Sequence, residues 1–178
     1  MALVVFLKGV NVGGHRRFRP SVLARELRKY AVVNVGAAGT FVVMKPIGRA
    51  KLRCELLRRL PFVTEIIICS AREIISLADA APFAGRLFGA DIVRFVSVLA
   101  RRPRWPPDIP FSLPAGGDWL VKLIELRGRF ALGLYRRQMR TIGALGQLEK
   151  RLGGAATTRN WNTIMQIVGI LSRRGIMK

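Results

Sequence analysis

Apolar and polar positions alternate along this chain in short, sharply bounded blocks. Residues 2–7 are an unbroken apolar run that stops at Lys8-Gly9, the pattern of a buried strand. Asn11 to Arg19 are rich in glycine and arginine and predict a loop. Pro20-Ser21 opens a helix with Leu23, Leu27 and Tyr30 on one face and Arg25, Arg28 and Lys29 on the other. Residues 31–35 and 40–44 are β-branched or apolar and flank Gly36-Ala37-Ala38-Gly39, which predicts a hairpin. After Pro46 and Gly48 a second helix places Leu52, Leu56 and Leu60 in register, with Glu55 four residues before Arg59. Pro61 ends it, and residues 63–69 predict a strand.

The order β-α-β-β-α-β over residues 1–70 is the ferredoxin-like pattern, with right-handed returns through both helices. Ser70 with Glu73 reads as a capping box that opens a further helix. Residues 92–99 predict a strand, and residues 118–126 and 129–135 a hairpin about Arg127-Gly128. Residues 141–152 and 158–171 carry helical patterning, separated by Gly153-Gly154. Five prolines at 103, 106, 107, 110 and 114 argue against regular structure in the 101–117 loop. The expectation is an α+β protein: a ferredoxin-like sub-domain over 1–70, then a second, incomplete α/β half over 71–178 with a β-hairpin and C-terminal helices.

Composition narrows the classes. Of 178 residues, 51% are hydrophobic and 23% charged, enough to bury a core and to exclude wholesale disorder. No apolar run approaches the ~18 residues of a membrane span, and the first seven residues are too short for a secretory signal, so a cytoplasmic protein without a membrane partner is expected. One histidine and two cysteines supply neither an ordinary zinc site nor a disulfide framework. Cys54, on a leucine-rich helix, and Cys69, at the end of an apolar strand, read as buried thiols. The net charge is +21, with 24 arginines to 7 lysines, spread as +10 over residues 1–70 and +11 over 71–178. Such a domain attracts polyanions at low salt.

Two segments carry candidate chemistry. In the first, Gly9-Val10-Asn11-Val12-Gly13-Gly14-His15-Arg16-Arg17, a loop follows a strand and precedes a helix. Its glycine amides could converge on an anion beside Arg16, or serve a tight turn in which Asn11 bonds backbone. The glycine spacing matches neither a Walker loop nor a dinucleotide fingerprint. In the second, Thr157-Thr158-Arg159-Asn160-Trp161-Asn162-Thr163, a threonine caps the last helix, with Trp161, Ile164, Met165 and Val168 as its buried stripe. There Thr158, Arg159, Asn160 and Asn162 form either a polar cluster for an anion or a plain cap. The candidate ligand set is Asn11, Gly13, Gly14, His15, Arg16, Thr158, Arg159, Asn160 and Asn162; no cofactor, nucleophile or reaction is specified. Trp105 and Trp119 read as packing anchors, with stacking on bases as the alternative.

Together the stretches KGVNVGGHRRF and GGAATTRNWNTI resemble the uncharacterised bacterial family called domain of unknown function 1697. The resemblance runs nearly end to end. It implies a small cytoplasmic α/β protein with ferredoxin-like halves and no established reaction. Members of that family usually carry a Gln-Ser-Gly-Asn turn in the first hairpin; here that place reads Ala37-Ala38-Gly39-Thr40, so two polar groups are missing. The expected partner is a phosphorylated or carboxylated small molecule held between the two segments. A nucleic acid on the basic surface and a structural role without a ligand are the alternatives.

Overall fold

The opening apolar run forms strand β1 (Leu3–Leu7), and all five of its residues are buried. A computed structural model describes residues 1–11, 18–85 and 88–173 of the chain. They fall into two compact units, Met1–Ala80 with the chain from Asn162 onward, and Ala81–Trp161. The sequence divides at residue 70; the units divide at Ala80, and nearly all of the last helix is grouped with the first unit.

In the first unit β1 is followed by α1 (Pro20–Glu26), a 3-10 turn (Arg28–Tyr30), β2 (Val32–Asn34), β3 (Thr40–Val43), α2 (Arg49–Leu57), β4 (Ile66–Ser70) and α3 (Ala71–Asp79). Pro20 occupies the first turn of α1, where its missing N–H removes no helical bond. The strands are ordered β2-β3-β1-β4, every pairing antiparallel. Strand alternation places Leu3, Val5 and Leu7 with Phe41, Val43, Ile66 and Ile68 in one core, closed by Leu23, Leu27, Leu52 and Leu56 of the helices. Each such side chain contributes about 1.5–3 kcal/mol on burial. The capping box is present: Ser70 Oγ accepts from the Glu73 amide at 3.3 Å, and Glu73 Oε2 accepts from the Ser70 amide at 2.7 Å.

Two local expectations are corrected. Strand β4 begins at Ile66 rather than at 63, and Val63 is exposed, because Thr64 spends its hydroxyl on Lys8 O (2.6 Å) in a connecting turn. Cys54 is exposed while Cys69 is buried, since the inward face of α2 is set by Leu52, Glu55 and Leu56.

Glu55 is the buried carboxylate on that face. It lies 3.4 Å from Lys29 Nζ and 3.0 Å from Arg59 Nη1, and also pairs with Arg58. Burial pushes its carboxyl upward, but the hydrogen bond and charge of Lys29, followed by the charges of Arg58 and Arg59, outweigh it and hold it below the ordinary 4.5. A lowered folded value means that the stabilisation is complete above the ordinary carboxylate pKa and is lost as the pH falls through the folded one. Urea titrations at neutral pH and near pH 3 should therefore show a smaller acid loss for Glu55→Gln than for the wild type; equal losses would refute the assignment.

The second unit contains β5 (Ile92–Leu99), β6 (Phe111–Leu113), β7 (Val121–Arg127), β8 (Phe130–Arg136), α4 (Thr141–Arg151) and β9 (Ala156–Asn160). Its antiparallel sheet runs β6-β7-β8-β5-β9. Ala144, Leu148 and Leu152, one helical stripe, pack on Phe95, Leu99, Val121, Leu123 and Ala131. Strand β6 lies inside the segment that its prolines had excluded. Pro110 and Pro114 flank it rather than interrupt it, and an edge strand needs only one row of amides. Both units contain helices and antiparallel strands, so the chain is α+β. Among the described residues no helix is long and apolar enough to cross a membrane.

Candidate functional site

The first candidate loop is described only at its ends. Asn11 takes a left-handed conformation (φ 55°), donates from Nδ2 to Phe18 O (3.1 Å) and Ala37 O (2.7 Å), and accepts the Phe18 amide on Oδ1 (3.0 Å). Both N–H groups of its amide and one lone pair of its oxygen are thus committed to backbone. Asn11 closes the loop and ties it to the turn between β2 and β3. Gly13, Gly14, His15 and Arg16 lie outside the described residues.

The second candidate segment needs correction. Thr157 and Thr158 cap no helix. Residues Ala156–Asn160 are strand β9, paired with Leu99 through Phe95 of β5. Helix α5 (Trp161–Ser172) starts only afterwards. The β-branched threonines suit a strand, and the Thr158 hydroxyl bonds that of Ser97 across the ladder at 2.6 Å. Arg159 is buried (7% exposed), donating from Nη1 to Thr157 Oγ1 (2.7 Å) and Thr158 O (2.9 Å). Burial pushes its guanidinium down to about 10, still a cation at neutral pH. Thr158, Arg159 and Asn160 therefore belong to the ladder of the second unit, whereas Asn162 belongs to the first. The buried stripe of α5 is Trp161, Ile164, Ile167 and Leu171; Met165 is exposed and Val168 half-buried.

The outward face of α5 lines a cleft within the first unit. Asn162, Met165, Gln166, Gly169, Ile170 and Arg173 line it together with Asn34, Val35 and Gly36, bordering an open groove of about 570 Å³. Their spacing of three, four, seven, eight and eleven residues is one helix face, about 16 Å long at 1.5 Å per residue. The volume falls in the ~300–1,000 Å³ range of small-molecule sites. A Cβ added at Gly36 or Gly169 would meet no atom within 4 Å, so both glycines border open space.

The chemistry of the cleft is amide and cation. Asn162 and Gln166 are exposed amides, and Arg173 is an exposed guanidinium at the helix end. Asn34 differs: its Oδ1 is buried and, among the described residues, accepts no hydrogen bond. An orphaned buried acceptor costs about 1–3 kcal/mol. Of the residues nominated from sequence, Asn162 alone lies here; Asn34, Gln166 and Arg173 were missed. A polar row at 162, 166 and 173 sharing a face with Gly169 was the signal available for Gln166 and Arg173. Asn34 carried none, because only the fold brings β2 to α5.

No protein-family model and no curated protein matches this chain. Among solved structures it is similar to a conserved bacterial protein from Streptococcus pneumoniae, with a TM-score of 0.58 and 14% identity over 96% of this chain and 98% of that one. At that identity the likeness concerns the fold alone.

Proposed function

We propose that the protein binds a small anionic ligand, bearing phosphate or carboxylate, in the cleft between Asn34–Gly36 and α5. The first unit then acts as a ferredoxin-like scaffold, in keeping with the resemblance to domain of unknown function 1697. The single observation that carries the reading is Asn34, a buried acceptor without a donor among the described residues, in the lining of a ligand-sized cleft. With its amide turned so that the oxygen faces the cleft, Asn34 would accept a ligand hydroxyl or N–H, Asn162 and Gln166 would orient the ligand's polar middle, and Arg173 would hold the anion through its planar fork. No nucleophile or general base stands among these residues, so the reading is of binding and orientation, not of a reaction.

The test is thermal denaturation in the presence of nucleotides, sugar phosphates and dicarboxylates, one at a time. A ligand at a hundred times its Kd stabilises by about 2.7 kcal/mol, a rise of roughly 5–11 °C at about 2–4 °C per kcal/mol. Arg173→Ala and Gly169→Leu should abolish the rise without lowering the unliganded Tm, the leucine filling open space on a helix that gains propensity. Asn34→Val should abolish it while raising the unliganded stability by about 1 kcal/mol, because the orphaned acceptor is gone. Ligand shifts that survive all three substitutions, or an Asn34→Val protein less stable than wild type, would dismiss the site.

A further inference from the structure

We infer that the loop between β5 and β6 is a single-stranded nucleic-acid contact, in which Trp105 stacks on a base and Arg101, Arg102 and Arg104 take the neighbouring phosphates. The inference is independent of the cleft and concerns the second unit alone.

Trp105 does not anchor packing, as its sequence context suggested; its side chain is 84% exposed. The other two tryptophans are engaged: Trp161 packs edge-on to Phe83 at 5.2 Å between centroids, and Trp119 lies beneath the Arg136 guanidinium at 5.0 Å. A solvated indole leaves a large apolar face in water, which a binding partner would cover. Arg101, Arg102 and Arg104 are exposed beside it, and among the described residues none forms an ion pair. Asp108 is the only carboxylate in the segment from 101 to 110. Pro103, Pro106 and Pro107 restrict the backbone around the four side chains, which reduces the entropy lost when they are ordered on a ligand. The unit around the loop holds 14 basic and 5 acidic residues, a net charge of +9 that draws in a polyanion from a distance.

One aromatic face set among guanidinium groups matches a chain of unpaired bases and phosphates. A duplex keeps its bases stacked and would use the charge only. A lipid surface would call for more than one apolar side chain, and the exposed part of this loop offers Trp105 and prolines. The other strongly exposed apolar residues of the unit, Met139 and Ile142, lie more than thirty residues further along.

Titration of the protein with an oligothymidine of about 12 nucleotides, within the site sizes of such contacts, tests this across a range of salt concentrations. Trp105→Ala should weaken binding about 5- to 140-fold and abolish the quenching of indole emission on saturation. Trp105→Phe, which keeps a smaller ring, should fall between the two. Because single-strand affinity falls with log salt at about 0.7 per neutralised phosphate, replacing the three arginines with alanine should reduce that slope by about 2. Asn34→Val should bind the oligonucleotide like wild type, which separates this contact from the cleft. Undiminished binding by Trp105→Ala, equal affinity for duplex, or capture by phosphatidylglycerol vesicles with none by the oligonucleotide would each overturn the inference.

Discussion

Gly133→Ala is expected to lower the melting temperature by about 6–12 °C, the equivalent of roughly 3 kcal/mol at about 2–4 °C per kcal/mol. Gly133 sits in β8 between two partners, opposite Phe95 of β5 and Leu123 of β7. A Cβ there would stand 2.3 Å from Lys122 O and 2.7 Å from two carbons of the Phe95 ring. The ring could turn, but the carbonyl belongs to the neighbouring strand and cannot move without opening the sheet. Overpacking of this kind costs about 1–3 kcal/mol, and more where backbone must yield. Trimming the ring with Phe95→Leu should not rescue the variant, because the closest clash is with backbone. Gly146→Ala on α4 is the control: a Cβ there meets no atom within 4 Å, and helix propensity should add about 1 kcal/mol. Differential scanning calorimetry of the two variants decides the matter; similar Tm values for both would mean that strand spacing at Gly133 is not limiting.

Gly39→Ala is expected to cost nearly as much, about 3 kcal/mol, and to weaken ligand binding in the cleft as well. Two effects add at this position. Its φ of +70° is left-handed, which costs a residue with a Cβ about 1–2 kcal/mol. That Cβ would also lie 2.9 Å from both Leu7 Cβ and Val10 Cγ2, in the core beneath the hairpin turn. Gly39 O accepts the Leu7 amide at 2.8 Å, so a displaced turn also loosens the end of β1. The same turn carries Gly36 on the cleft wall and Ala37, whose carbonyl Asn11 holds. Urea denaturation measures the first effect and the ligand-induced Tm shift the second. Loss of stability with full ligand binding would show that the turn does not shape the cleft.

Ala37 and Ala38 of this turn supply no side-chain donor or acceptor. In this chain the polar contribution beside the turn falls to Asn34, two residues before Gly36, and to the outward face of α5. Asn11 itself is anchored to the hairpin through its side-chain amide. That answers what Asn11 does: its side-chain amide bonds the backbone of Phe18 and Ala37.

What the sequence determined by itself is local. The run 2–7, the β-branched pair around 36–39, the Ser70–Glu73 box and the stripe at 144, 148 and 152 each encode their element within a few residues, because alternation, capping and helical period act over one or two turns. The tertiary structure decided the rest. Residues 156–160 carry no alternation that marks a strand beside a helix, and they extend because β5 offers a free edge and Ser97 a hydroxyl for Thr158. Arg159 looked like a ligand group and became a buried strand residue for the same reason. The cleft joins Asn34 to Asn162, Gln166 and Arg173 across more than a hundred residues of chain. No local pattern can express that proximity, since it is created only when helix and hairpin come together in one unit and leave a gap where two glycines have no side chain to fill it.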